Sequence, residues 1–551
     1  MRPSSCPRLL RSLLVSGLLL VSGLSSLAPL PAVAGDAPCA SCIAEAASVP
    51  FDPAAFDAHV ERVRSRFEVP GIAVAIVKDG QVVLERGWGV RALGKPEKVD
   101  ARTLFAIASN TKAFTAASLS MLADEGRLSM DDRVIDHLPW FRMADPYVTG
   151  QMRIGDLLTH RSGLGLGAGD LLFWPGSDYG TEDVVRRLKD VPLKAGFRER
   201  YAYDNILYAA ATLVIEKVAG QPYAQFLQQR FFDPLGMDGT RFNADALRPG
   251  DPAATGHARA DFTRLQPTFA LTWHNASGAG GLYSSAHDMA RWVKAQLAGG
   301  IYADAEGNQR RLFSEGQQKA MWSLHSPMNI AAPAVPELAP AVPAFLGYGL
   351  GWIVSSHRGR KLVWHTGGWP GMVSRVTLVP ELGLGVVVLT NQESGAAFNA
   401  ITMQALDAYL APAERTDWVA AYAAAADKGR KKAENAWAAR VAARDARSRP
   451  SLPLSAYAGT YRDAWYGDVE VTQGKAGLAM RFDRTPLLTG ALQHWQHDTF
   501  LARWDERTLN GDALVTFVLD ADGRVDEVRM EPASELTDFS FDFQDLRLRP
   551  R

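Results

Sequence analysis

The chain has 551 residues, 47% of them hydrophobic and 22% charged, which is ordinary globular composition. Lys plus Arg (59) nearly cancel Asp plus Glu (60), so no overall field would concentrate nucleic acid or an anionic membrane surface. The length exceeds what one hydrophobic core serves and predicts roughly two to four domains.

Residues 1–34 carry the marks of a cleavable signal peptide. Arg2, Arg8 and Arg11 form a basic start, an apolar stretch runs from Leu13 to Leu30 broken by Gly and Ser, and Ala32-Val33-Ala34 offers a small-x-small cleavage site before Gly35. The apolar run is short and interrupted for a bilayer span, so no stable membrane span is expected after cleavage, and the mature chain is expected in the periplasm or secreted. Residues 35–50 form an Ala/Ser-rich leader that carries Cys39 and Cys42. In an oxidising compartment that Cys-x-x-Cys pair fits a local disulfide better than a redox motif or half a zinc site.

From Phe51 the pattern turns helical, with Phe56, Val60, Val63 and Phe67 on one side. Gly71–Val77 and Val82–Trp88 are then two β-branched runs, read as strands around the hairpin signal Asp79-Gly80. Further strands are expected at Tyr348–Val354, Leu362–Trp364, Val373–Val379 and Leu384–Leu389, with helices and loops between the two groups and a long Pro/Ala-rich loop at 326–345. One antiparallel sheet built from both ends of a segment, with a helical insertion between, is an α+β layout. This segment spans 51–412. Residues 413–450 form an Ala-rich connector whose interleaved Lys, Arg, Asp and Glu predict a solvated helix rather than a nucleic-acid tail. Residues 451–551 change to short alternating runs with Gly turns, which predict a small antiparallel β-barrel.

The chemistry centres on Ser109 and Lys112. Their i, i+3 spacing at the start of an expected helix puts both on one face, one turn apart. A serine hydroxyl needs an adjacent base, and a desolvated lysine can serve as one. Alone, Ser-x-x-Lys is a weak signal. It is joined in order by Leu157-Leu158-Thr159-His160-Arg161-Ser162-Gly163-Leu164, Tyr203-Asp204-Asn205, Ala279-Gly280-Gly281-Leu282, Tyr348-Gly349-Leu350-Gly351-Trp352, His365-Thr366-Gly367 and Val387-Val388-Leu389-Thr390-Asn391.

In that order and spacing these motifs resemble the class C β-lactamase-like serine hydrolases, a family that also holds penicillin-binding proteins, D-aminopeptidases and esterases. The resemblance covers about residues 51–410 and implies a β-lactamase/transpeptidase-like fold: an antiparallel sheet flanked by helices, beside a helical subdomain. It implies that Ser109 is acylated, that Lys112 holds or accepts its proton, and that Tyr203 acts with Lys112 as general base and returns the proton to the leaving group. It places Asn205 against Lys112 and the substrate amide, His365 and Gly367 at the substrate, and the N–H groups of Ser109 and Gly368 in an oxyanion hole. No metal or cofactor is implied, and the partner is a small-molecule or peptide substrate. The C-terminal module resembles the lipocalin-like barrels appended to some D-amino-acid peptidases, which wall the active site.

Two departures bear on substrate. His365 stands where true β-lactamases carry a Lys, which removes a permanent cation from the site. Asp204 stands where Ser is usual and adds negative charge if it points inward. Both favour peptide, amide or ester hydrolysis, D-amino-acid peptides included, over β-lactam destruction. A class C-type β-lactamase or broad esterase is the competing enzyme, and a penicillin-binding sensor acylated without turnover is the competing class. Two other motifs carry no expectation of function: the alternating glycines of Gly163–Gly169, which lack a nucleotide-loop context, and His494-x-x-His497, which lacks companion carboxylates.

Overall fold

The computed structural model describes residues 51–551 apart from Ala411 and Ala413. The signal peptide, the leader and the Cys39/Cys42 pair lie outside the described residues. Helix α1 (Pro53–Phe67) opens the described chain, with the Asp52 carboxylate accepting from the N–H groups of Ala54 and Ala55. Strands β1 (Gly71–Lys78) and β2 (Gln81–Gly89) follow as the expected hairpin.

Six later strands complete the main sheet: β3 (Ser326–Pro327), β4 (Leu346–Tyr348), β5 (Ile353–His357), β6 (Arg360–Trp369), β7 (Met372–Val379) and β8 (Leu384–Thr390). The order is β2-β1-β8-β7-β6-β5-β4-β3 and every pairing is antiparallel. The expected strand at 348–354 is split in two. Gly351 turns with φ +74°, and a side chain there would lie 2.6 Å from the Lys112 carbonyl oxygen, so the chain bends where it passes over the Lys112 helix. The stretch 326–345, expected as a loop, contributes the edge strand β3 and a 3-10 turn at Pro336–Ala341.

The period-two pattern of β1 divides two cores. Ile72, Val74 and Ile76 face a cluster formed with α1, α5 (Gly395–Leu410) and the start of α6 (Trp418–Ala443). Ala73, Ala75 and Val77 face the helical insertion, where α2 (Thr111–Asp124), α3 (Ile206–Ala219) and α4 (Ala286–Leu297) lie. Small residues on that second face let the helices come close. The α6 connector is less solvated than its composition implies: Trp418, Val419, Ala421 and Ala423 are buried, and the Trp418 indole donates to Asp407 at 2.7 Å.

The C-terminal module is an eight-stranded antiparallel sheet running from Gly459 to Pro550. It curls until Val528 and Leu548 exchange backbone hydrogen bonds of 2.7 and 3.2 Å, which nearly closes it into a barrel. Its interior is continuous with the core of the helical insertion.

Strand β6 ends directly against the turn that carries Ser109. A β-carbon on Gly367 would lie 2.2 Å from the Ile107 carbonyl oxygen and 3.0 Å from the Ala108 methyl, so only glycine permits this approach. Two stability measurements by chemical denaturation follow. Ile76→Ala, in the fully buried centre of β1, is expected to cost about 2–5 kcal/mol. Gly367→Ala is expected to cost about 1–3 kcal/mol through overpacking, although it lies near a strand end.

Candidate functional site

Ser109 sits in a single 3-10 turn, Ala108–Asn110, that leads straight into α2. Ala108 takes φ +46°, a left-handed conformation that costs a non-glycine residue of order 1–2 kcal/mol. The surroundings hold it there. Ile107 N–H donates to the Leu282 carbonyl at 2.9 Å, and Phe105–Ala106 pairs with Tyr283–Ser284. This sharp turn lifts the serine out of the strand and sets Lys112 one turn further on.

Lys112 has no solvent exposure. Its Nζ lies 3.1 Å from Ser109 Oγ, 2.6 Å from Asn205 Oδ1 and 2.8 Å from the Ala279 carbonyl oxygen. Burial lowers its pKa to about 7, against the opposing pull of Asp170 and Asp204. The two carbonyl-type oxygens can only accept. A neutral amine therefore gives its two hydrogens to Asn205 and Ala279 and turns its lone pair to Ser109.

Tyr203 approaches from the other side, and its hydroxyl donates to Ser109 Oγ at 2.8 Å. Burial raises its pKa well above that of a free phenol, so it stays protonated. Asp204 does point inward. It is fully buried beside His160, and Ser162 Oγ donates to it at 3.3 Å. His160 holds the neighbouring loop: its Nδ1 accepts from Asp204 N–H at 3.2 Å and its carbonyl accepts from Ala202 N–H at 2.8 Å.

His365 lies behind Tyr203, with ring centroids 6.3 Å apart. Its Nε2 is 2.9 Å from the Tyr348 hydroxyl and its Nδ1 is 2.6 Å from the Thr366 carbonyl, an arrangement that fits a neutral Nδ1–H ring. Burial, with Lys112 nearby, lowers its pKa to about 3. Both ring nitrogens are thus engaged within the protein, and no cation stands at this position. Gly368 is exposed at the end of β6 and opens onto a cavity of about 880 Å3, walled by Trp174, Phe269 and Trp369 and by Leu509, Leu536 and Phe541 of the barrel.

The barrel loop 533–546 crosses to this site, where the resemblance expects the barrel to stand, although sequence reasoning named none of its residues. The Asp542 carboxylate accepts from Gly169 N–H at 2.7 Å and Leu171 N–H at 3.1 Å. Ser540 Oγ donates to Asp170 Oδ2 at 2.8 Å, and Asn205 Nδ2 donates to the same oxygen at 2.8 Å. Phe539 packs edge-on against Tyr203 with centroids 5.9 Å apart. A side chain on Gly167 would come within 2.7 Å of the Phe539 ring, so the glycine run 163–169 is shaped by protein packing. His494 Nε2 lies 2.9 Å from the His497 carbonyl oxygen in the barrel.

Comparison with known proteins agrees with this fold. The beta-lactamase family matches residues 56–410, and a domain of unknown function, DUF3471, matches residues 443–550. Unguisins hydrolase ungD of Aspergillus violaceofuscus is 30% identical over 475 residues, covering 80% of this chain and 79% of that protein. Protein flp of Staphylococcus aureus strain MW2 is 29% identical over 353 residues, covering 61% and 63%. In fold, the chain is similar to the octameric penicillin-binding protein homologue from Pyrococcus abyssi, with TM-score 0.56 and 22% identity, covering 90% of this chain and 100% of the other. It is also similar to the D-amino acid amidase from Ochrobactrum anthropi SV3, with TM-score 0.52 and 20% identity, covering 64% and 99%. The chain belongs to the beta-lactamase family of serine hydrolases.

Proposed function

We propose that this protein is an exported hydrolase that forms an acyl-enzyme on Ser109 and cleaves amide, peptide or ester bonds, D-amino-acid peptides among them. The observation that carries the reading is Ser109 Oγ held between Lys112 Nζ at 3.1 Å and the Tyr203 hydroxyl at 2.8 Å. Neutral Lys112 takes the serine proton as Oγ attacks the carbonyl carbon. The N–H groups of Ser109 and Gly368 receive the developing oxyanion. Tyr203, protonated and already aimed at Oγ, hands its proton to the leaving group and is reprotonated from Lys112. Water then repeats the sequence on the acyl-enzyme. Asn205 keeps Lys112 in place, and Gly367 lets the oxyanion strand reach the nucleophile turn.

The charge state of the site supports an uncharged or weakly charged substrate over a β-lactam. A neutral His365 bonded to Tyr348 offers no cation to a β-lactam carboxylate. Phe539, lying over Tyr203, narrows the site and favours short acyl or leaving groups. A relative at 30% identity is itself named a hydrolase, which supports turnover over a sensor that stays acylated. The basic, apolar and Ala-x-Ala features of residues 1–34 support export.

Ser109→Ala is expected to abolish both ester turnover and the acyl adduct seen by intact-mass spectrometry; full activity in that variant overturns the assignment. For an uncharged ester, kcat/KM is expected to rise as pH climbs through about 7, because only neutral Lys112 can take the serine proton. A profile flat from pH 5 to 9 removes Lys112 from that role. Nitrocefin is expected to be turned over far more slowly than a short activated ester in a side-by-side assay.

A further inference from the structure

Among the described residues Asp170 is the one buried carboxyl group in hydrogen-bond contact with the Lys112–Asn205 pair, and the acyl-transfer steps leave it without a task. It has no solvent exposure, and among the described residues no lysine or arginine pairs with it. Burying such a group is unfavourable unless its hydrogen bonds are well made. Its Oδ2 accepts from two donors, Asn205 Nδ2 and Ser540 Oγ, each at 2.8 Å, while Oδ1 is buried without a partner.

That pairing decides which way the Asn205 amide points. With Nδ2–H given to Asp170, the Oδ1 end faces Lys112 Nζ at 2.6 Å. A flipped amide would present N–H to the lysine. It would then compete for the lone pair that must take the proton of Ser109. The backbone also pins Asp170, since Phe173 N–H and Trp174 N–H donate to its carbonyl at 2.9 and 2.7 Å. Its side chain is fixed from the barrel by Ser540, whose loop Asp542 anchors on the N–H groups flanking Asp170.

We propose that Asp170 is a positioning residue that sets the Asn205 amide and through it the Lys112 lone pair, and that the C-terminal barrel holds Asp170 in register through Ser540. This rests on the reading of Ser109 as the acylated residue. The barrel is thereby part of the hydrolytic centre, and the hydrogen-bond chain runs Ser540, Asp170, Asn205, Lys112, Ser109.

The test uses the full chain, with p-nitrophenyl acetate as probe and a fluorophosphonate to count reactive Ser109 sites. Rates are expressed per counted site, so that loss of folded protein does not register as loss of rate. Asp170→Ala is expected to lower kcat per site about 10- to 100-fold with KM little changed, as a misaligned base does. Ser540→Ala is expected to lower it about tenfold, the effect of one hydrogen bond, and Ser540→Thr to restore it. Wild-type rates per site in Asp170→Ala and Ser540→Ala, with only the melting temperature reduced, overturn the proposal, as does a Ser540→Thr no faster than Ser540→Ala. If Asp170→Ala does not fold, the Ser540 pair decides alone. A wild-type protein whose Ser109 takes no adduct from either reagent overturns the functional reading itself, and this inference falls with it.

Discussion

The site depends on keeping one amine dry. Taking an ammonium group out of water costs several kcal/mol, and the cheapest response is for the group to lose its proton. The Lys112 amine is enclosed by the rings of Tyr203 and Tyr208, 4.8 and 5.1 Å from Nζ, and by the Ala279 carbonyl oxygen at 2.8 Å. Acidic neighbours partly oppose the shift, which leaves the group near neutrality. A lysine on the surface of the same helix would be a spectator, since its amine would stay charged in neutral solution.

The same dryness acts on four titratable groups around Ser109, in the direction the charge of each dictates. It lowers Lys112 and His365 and raises Tyr203 and Asp170, the last to about 8. Near neutral pH His365 and Tyr203 are therefore uncharged, Asp170 is largely so, and Lys112 is divided between its two forms, all within a network of short hydrogen bonds. Proton movement along such a network needs little solvent reorganisation. The fold provides the enclosure. The two faces of β1 split the apolar residues into two cores, and the helical insertion closes over one of them.

Much of this was legible in the amino-acid order because it is local. Ser109 and Lys112 are one helical turn apart, the hairpin at Asp79-Gly80 is a two-residue signal, and the continuous apolar runs of β1 and β8 mark strands buried on both faces. Tyr203 and Asn205 are far from Ser109 in sequence, and they are legible only as a family resemblance. Asp170 and Ser540 were not found, because each is a common residue in unremarkable surroundings and their contact spans 370 positions. The glycines at 163–169 lack a nucleotide-loop context in sequence, and their packing against Phe539 depends on a residue of the barrel. For His365, the change from Lys is visible in sequence; that Tyr348 and Thr366 occupy both ring nitrogens is a tertiary fact.

The contact between Asp170 and Ser540 also orders events in time. During synthesis the segment bearing Ser109, Lys112 and Tyr203 leaves the ribosome well before the barrel strands, and at about 5–20 residues per second the interval is on the order of tens of seconds. Through that interval the nascent chain carries Ser109, Lys112 and Asp170 but not the Ser540 hydroxyl that bonds Asp170. The contact between Asp170 and Ser540 thus forms last, when the final strands have emerged and curled shut.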